Sequence, residues 1–454
     1  MFGDFGDFEK FVIEKMREAK VPALSVSVIS EDETKYSRGF GFRDIASGLP
    51  ATPRTIYGIG SVTKSFTALA LMQLADEGKI DVQDEVEKYV PLKVRPFGES
   101  IRIHHLLTHS SGLPALGYAE ALIRAMTGAE DNWFPISSPD DIITFMKDAE
   151  SWAVSKPGER YFYLNEGWVM LGEIISRVSG LRYEEYIRKR VLEPLRMSRT
   201  YFSKAEVERE IDKATPYIVD KGGKHISSAF PYGISSDGGL LSNVKDMSNY
   251  VAMYLNRGQF DGKTLVSRKR LESMETSHIK LPYEFLEGES YGYGWRITPG
   301  FHGCKLISHA GSVGVYKAFA GYVPDKKIGV VLLANPSEYT LSHIGMYVLS
   351  QLMDVDPNTL PFIRNDVILS KLQGEYETYM GTMKINIKKR GDFLHFEMRD
   401  KYREQILPLV PERLGENQAM FFTLSEGGRY PVEFNCKKDT IELIYERYKL
   451  TKRK

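Results

Sequence analysis

The stretch that decides the fold is residues 58–78, GIGSVTKSFTALALMQLADEG. Residues 57–59 read as extended and 62–79 as a helix. Phe66, Leu69, Ala70, Leu71, Met72 and Leu74 make that helix apolar on most sides, as suits a buried one. Gly78 marks its stop. At the junction stands Ser61-Val62-Thr63-Lys64, an SxxK motif. A spacing of three on a helix puts hydroxyl and amine on one face, about one turn apart. The helix N-terminus supplies free N–H groups and a positive potential that favour an alkoxide or oxyanion. A free lysine titrates near 10.4, so a neutral Lys64 needs a shift of about three units. Burial and the positive helix end both push that way. A neutral Lys64 would take the Ser61 proton as general base.

Alone, the motif carries little weight: roughly two or three matches arise by chance in a chain of this composition. Two others occur, at Ser242-Asn243-Val244-Lys245 and Ser277-His278-Ile279-Lys280. Ser242 precedes a helical pattern and reads as an N-cap; Ser277 reads as solvated loop. Further pieces follow Ser61 in order. Tyr163-Leu164-Asn165 lies just after the turn 156–159, and His309-Ala310-Gly311 ends an expected strand. A Tyr163 hydroxyl near Lys64 would relay protons to a leaving group, and the Asn165 amide would bind a substrate carbonyl. The edge at Gly311 would offer the N–H of Ser312, which with that of Ser61 makes an oxyanion hole. YxN also recurs at Tyr254-Leu255-Asn256 within a helical pattern, so the ordered set carries the reading.

Outward from Ser61, residues 5–20 show helical spacing of Phe8, Phe11, Val12 and Met16. Residues 23–29 and 36–42 read as strands. From 80 to about 280, helical patterns dominate, at 101–109, 119–127, 139–148, 166–179, 183–192 and 244–257. The period returns to two at 291–297, 304–309, 315–323 and 328–334, and a helix is expected at 340–353. Residues 355–362, with two prolines, read as a linker. Beyond them 383–388 alternates cleanly, and 393–398, 430–434 and 440–445 look extended.

These motifs resemble a known family. Residues 59–68 (IGSVTKSFTA), 105–114 (HLLTHSSGLP), Pro157-Gly158 before Tyr163-Leu164-Asn165, Asp237-Gly238-Gly239-Leu240 and His309-Ala310-Gly311 look like the serine β-lactamase and penicillin-binding-protein group. The nearest subset is the CubicO-type peptidases of archaea and bacteria, with D-aminopeptidases, D-alanyl-D-alanine carboxypeptidases, class C β-lactamases and some esterases. The resemblance spans about residues 5–353 and implies an α+β fold: a mainly antiparallel sheet flanked by helices, plus a helical domain, with the site between them. On it, residues 1–80 and 281–354 form the α/β part and 81–280 the helical part. A linker at 355–365 and a small lipocalin-like antiparallel barrel at 366–454 follow. The resemblance makes Ser61 the acylated nucleophile, Lys64 its base, Tyr163 the proton shuttle and Asn165 a substrate-amide ligand. His309 stands where the lactamases carry the lysine of a KTG motif. That lysine offers a permanent charge to a substrate carboxylate, whereas a histidine is near neutral at pH 7.

Composition narrows the function. The 454 residues carry 60 basic and 60 acidic side chains, a balance that argues against nucleic-acid and membrane-surface partners. Two cysteines exclude a disulfide framework. The first residues show no signal-peptide pattern and no run suits a membrane span, so a cytoplasmic protein is expected. His104, His105 and His109 have a zinc-like spacing but no obvious third ligand, so no metal and no cofactor is expected. Edge strands and many Tyr and Phe in the last domain point to a homo-oligomer assembled through it. The expected function is a serine peptidase acting on short peptides, including those with D-amino acids. The alternatives are a carboxylesterase and a non-catalytic binding protein on the same scaffold.

Overall fold

A computed structural model describes residues 5–131, 135–233, 235–336, 339–399 and 401–453. The chain divides into two units, Met1–Val355 and Asp356–Lys454.

The first unit is built on a nine-stranded sheet whose neighbours are all antiparallel. Within it, Ala23–Ser30 is paired to Ile328–Ala334 on one side and Glu33–Asp44 on the other. Ala23–Ser30 and Ile328–Ala334 are buried at every position, because helices cover both faces of the sheet. Val244–Leu255 packs on one face, where the Ser248 hydroxyl donates to Ser27 Oγ at 2.8 Å. Leu341–Leu352 covers the other, where a Cβ added to Gly345 would strike the ring of Phe319. Gly6–Glu18 packs on that second helix through Phe11 stacked on Tyr347, 3.9 Å between centroids.

Two local departures from the expected strands shape the site. The strand expected at 291–297 is a hairpin, Ser290–Tyr291 and Arg296–Phe301. The chain turns at Gly294, which has φ +73° and lies so close to the Lys64 helix that a Cβ there would sit 2.9 Å from the Lys64 carbonyl oxygen. Tyr57–Gly58 is not part of the main sheet: it pairs with Leu241–Ser242 in a separate ribbon.

The second unit is a closed barrel of eight antiparallel strands running from Gly374–Glu377 to Tyr448–Lys452, which pair to close it. Inward residues such as Ile385, Leu394, Phe396, Phe421, Phe434 and Leu443 fill it. The linker expected at 355–365 is corrected by the structure. Pro357–Thr359 is a short 3-10 turn, and Pro361–Leu372 is a helix whose Ile368, Leu369 and Leu372 join the barrel core. Proline is pre-organised for the first helical position, so the residues read as breakers are helix starts.

Candidate active site

Ser61 lies in the 3-10 turn Gly60–Val62, which runs directly into the helix Thr63–Asp76. The turn is pressed against the end of the strand Cys304–Ser312. Gly60 has φ +50°, and a Cβ on it would lie 2.7 Å from Ser312 N; a Cβ on Gly311 would lie 2.0 Å from Ile59 O. Only glycines allow this approach, which brings the strand edge beside Ser61. Ser61 is half-buried, whereas every residue from Thr63 to Ala75 is buried.

Lys64 is fully buried, with Nζ 3.4 Å from Ser61 Oγ, 2.8 Å from Asn165 Oδ1 and 2.7 Å from the Asp237 carbonyl oxygen. Burial pulls its pKa down to about 8, while the charges of Asp237, Glu120 and Glu166 oppose the shift. Tyr163 hydrogen-bonds Ser61, and burial holds its phenol far above the usual tyrosine range, so it stays protonated. The Tyr163 ring stands 4.9 Å from Lys64 Nζ and stacks on His109 at 4.1 Å. Asn165 begins the helix Asn165–Ser179, so Tyr163 and Asn165 reach Ser61 and Lys64 from one chain turn.

Behind Lys64 lies an acidic group that the sequence quoted only as a motif or missed. Tyr118 donates to Asp237 Oδ2 at 2.5 Å, and the Tyr118 backbone N–H donates to Glu166 Oε1 at 3.2 Å. Desolvation raises Asp237 above the usual carboxylate range and pushes Glu166 up to about 7. No spacing rule joins 64, 118, 166 and 237, which come from four separate segments.

His309 faces the same cleft and is buried. Its Nδ1–H donates to the Ala310 carbonyl at 2.6 Å, so Nε2 accepts from the Tyr291 hydroxyl at 2.8 Å. Burial first, then the Lys64 charge, depresses its pKa to about 3, leaving a neutral imidazole. The cleft measures about 430 Å³ and includes Ser61, Tyr163, His309, Gly311 and Ser312 among its walls, with an aromatic side from Tyr161, Tyr283, Phe285 and Tyr291. Lys64 and Asn165 sit beneath Ser61 rather than on the wall.

The remaining sequence candidates fall elsewhere. The N-cap expected at Ser242 is corrected to Asn243, whose Oδ1 accepts from the N–H groups of Lys245 and Asp246; Ser242 Oγ pairs with Thr200 instead. Ser277 and Lys280 are exposed. Tyr254 is buried against Tyr250, Trp295 and Tyr322. His104 bonds the Tyr293 hydroxyl, and His105 Nδ1 accepts from the Arg102 N–H. Both cysteines are free and half-buried.

Fold and site together define a class, and sequence comparison bears on the same class: the chain belongs to the beta-lactamase family of serine hydrolases, whose family model matches residues 8–346. A second model, the Pab87 octamerisation domain, matches residues 357–451. The chain is similar, at 51% identity and TM-score 0.95, to the octameric penicillin-binding protein homologue from Pyrococcus abyssi, over 99% of this chain and 100% of that one. It is 27% identical over 352 residues to Protein flp of Staphylococcus aureus (strain N315), covering 75% of this chain and 66% of flp, just under two thirds of that relative. It is 24% identical to penicillin-binding protein 4* of Bacillus subtilis, covering 87% of this chain and 90% of that protein.

Proposed function

We propose that the chain is a serine peptidase that hydrolyses short peptides, including D-amino-acid-containing ones, through an acyl-enzyme on Ser61. The observation that carries this is a fully buried Lys64 amine 3.4 Å from Ser61 Oγ, with a pKa pulled to about 8. Neutral Lys64 takes the Ser61 proton as Oγ attacks the peptide carbonyl. The N–H groups of Ser61 and Ser312 hold the developing oxyanion. Tyr163, protonated and bonded to Ser61, passes a proton to the leaving amine and regains one from Lys64. Asn165, whose Oδ1 accepts from Lys64, keeps its amide N–H groups for the substrate carbonyl. His309 takes part as a neutral group oriented by Ala310 and Tyr291. The experiment is mass-spectrometric trapping after exposure to a mixed L- and D-peptide library. An adduct on Ser61 is expected from the wild type and none from Ser61→Ala; an adduct on another residue overturns the assignment.

The neutral His309 favours a second reading, a carboxylesterase, because a fixed charge is missing where the lactamases hold one. Matched amide and ester substrates separate the two: both are cleaved by a peptidase, and only esters by an esterase.

The same proposal includes a cytoplasmic location and self-assembly through the barrel. Among the described residues no helix is long and apolar enough to cross a membrane. Assembly is supported by the octamerisation-domain match, by the octameric relative, and by Tyr379 at 87%, Met380 at 82% and Tyr402 at 84% exposure. Light scattering on the whole chain and on a version ending at Asp356 tests it. The whole chain is expected as an octamer and the shortened one as a smaller species; an unchanged state removes the barrel from assembly.

A further inference from the structure

The cleft has an aromatic side that the chemistry above does not use. Tyr163, bonded to Ser61, stacks on His109, and the His109 ring lies 5.6 Å from that of Tyr161 and 5.0 Å from that of Tyr291, between centroids. Tyr161 in turn meets Tyr291 at 5.7 Å and Tyr283 at 6.4 Å. A continuous run of rings therefore leads from the nucleophile to the outer wall of the cleft, where Phe285 stands beside Tyr283. Tyr161 and Tyr291 are buried, whereas Tyr283 is 56% and Phe285 40% exposed. Both lie in the segment 281–289, between the strands Ile279–Lys280 and Ser290–Tyr291. Tyr283 also borders a second groove along 159–163 and 278–282, while Phe285 belongs to the wall on the Ser61 side.

A buried ion pair fixes this segment. Glu289 is 1% exposed, and a buried carboxylate must find partners. Its Oε2 accepts the Phe285 N–H at 2.9 Å, its Oε1 accepts the Thr298 hydroxyl at 2.8 Å, and Arg296 Nε stands 3.6 Å away. The Arg296 guanidinium lies 5.3 Å from the centre of the Tyr283 ring and 4.9 Å from that of Phe285. The Phe285 ring also meets His343 of the helix Leu341–Leu352 edge-on at 5.6 Å. The two exposed rings are thus held in place before any ligand arrives, which lowers the cost of binding on them. Arg296 is spent on Glu289 and on the rings, so it offers little to an anionic side chain and repels a cationic one. No Asp or Glu stands among the described residues of the wall to attract a cation instead. What this side of the cleft offers is pre-set aromatic area.

We propose that Tyr283 and Phe285 form a side-chain subsite, so that the substrates are peptides with an aromatic or large apolar residue beside the bond that Ser61 attacks. This rests on the reading of Ser61 as nucleophile, and it names the substrate class. The side chain lies against the two rings, and Glu289 and Arg296 act as positioning residues behind them.

The test is calorimetric binding of acetylated, amidated alanine tripeptides, in L and D series, to the Ser61→Ala protein. Each position in turn is replaced by Phe, Lys or Glu. Phe at one position is expected to bind about tenfold more tightly than the all-alanine peptide, and Lys and Glu no better than alanine. The preference should vanish when Tyr283→Ser and Phe285→Ser are combined, and persist with Tyr283→Phe or Phe285→Tyr. Binding of the all-alanine peptide and the melting temperature should hardly change, which separates a lost subsite from a lost fold. Equal binding of the Phe and alanine forms, tighter binding of Lys or Glu, or a Phe preference that survives the double change overturns the proposal. Failure of wild-type Ser61 to react with a fluorophosphonate probe would instead overturn the nucleophile reading, and leaves the binding measurement standing.

Discussion

The same spacing, Ser-x-x-Lys, occurs at 61–64 and at 242–245, each where a short strand hands over to a helix. The two strands even pair with each other, Tyr57 opposite Ser242 and Gly58 opposite Leu241. The two lysines differ in their surroundings. The helix after Ser61 passes through the core, so Lys64 has no solvent and a lowered pKa. The helix after Ser242 is also largely buried, but Lys245 itself is exposed. Asn243 caps the second helix, while the first has no side-chain cap. Desolvation, not spacing, turns a lysine into a base.

Removing either member of the buried pair should have the largest effect. Ser61→Ala and Lys64→Ala are expected to lower acyl-enzyme formation by at least about a thousandfold. Ser242→Ala and Lys245→Ala should leave that rate within about twofold, with Ser242→Ala costing about 1 kcal/mol of stability through the lost Thr200 contact. A large rate loss at 242 or 245 would erase the contrast. Next comes Tyr163→Phe, expected to lower kcat about a hundredfold without a change in melting temperature. A drop in stability instead would make Tyr163 structural.

The pH profile sharpens the comparison further. In the proposed mechanism the neutral lysine is the active form, so kcat/KM should rise with pH to a limb near 8 and fall about tenfold per unit below it. Asp237→Asn removes the anion that most favours the charged lysine. The limb should then move to lower pH, by about one unit; a limb that stays in place would exclude Asp237 from tuning Lys64. The smallest effect concerns stability. His104 and His105, near 4, and His309, near 3, are held neutral in the fold by burial. The unfolded chain protonates first as pH drops, so stability should fall from about pH 6.5 towards 4. His309→Gln should flatten part of that fall in thermal melts.

Much of this molecule was readable from local pattern. Alternation and helical spacing are properties of neighbours in sequence, so the core strands, the Lys64 helix and the antiparallel barrel were all visible. The misreadings share a cause. Pro361 starts a helix because Ile368, Leu369 and Leu372 find the barrel core, and no local rule announces that. Residues 291–297 fold into a hairpin because Gly294 must clear the Lys64 helix.

The sequence by itself determined that Ser61 and Lys64 share a helix face after a glycine turn, and that Tyr163, Asn165 and His309 follow in order. Only the tertiary structure decided their chemical states. It buried Lys64 and set Asp237, Glu166 and Tyr118 behind it, stacked His109 on Tyr163, and oriented His309 between Ala310 and Tyr291. Desolvation and charge pairing act through space, between residues that lie up to some 250 positions apart in the chain, and no periodicity in the sequence records them.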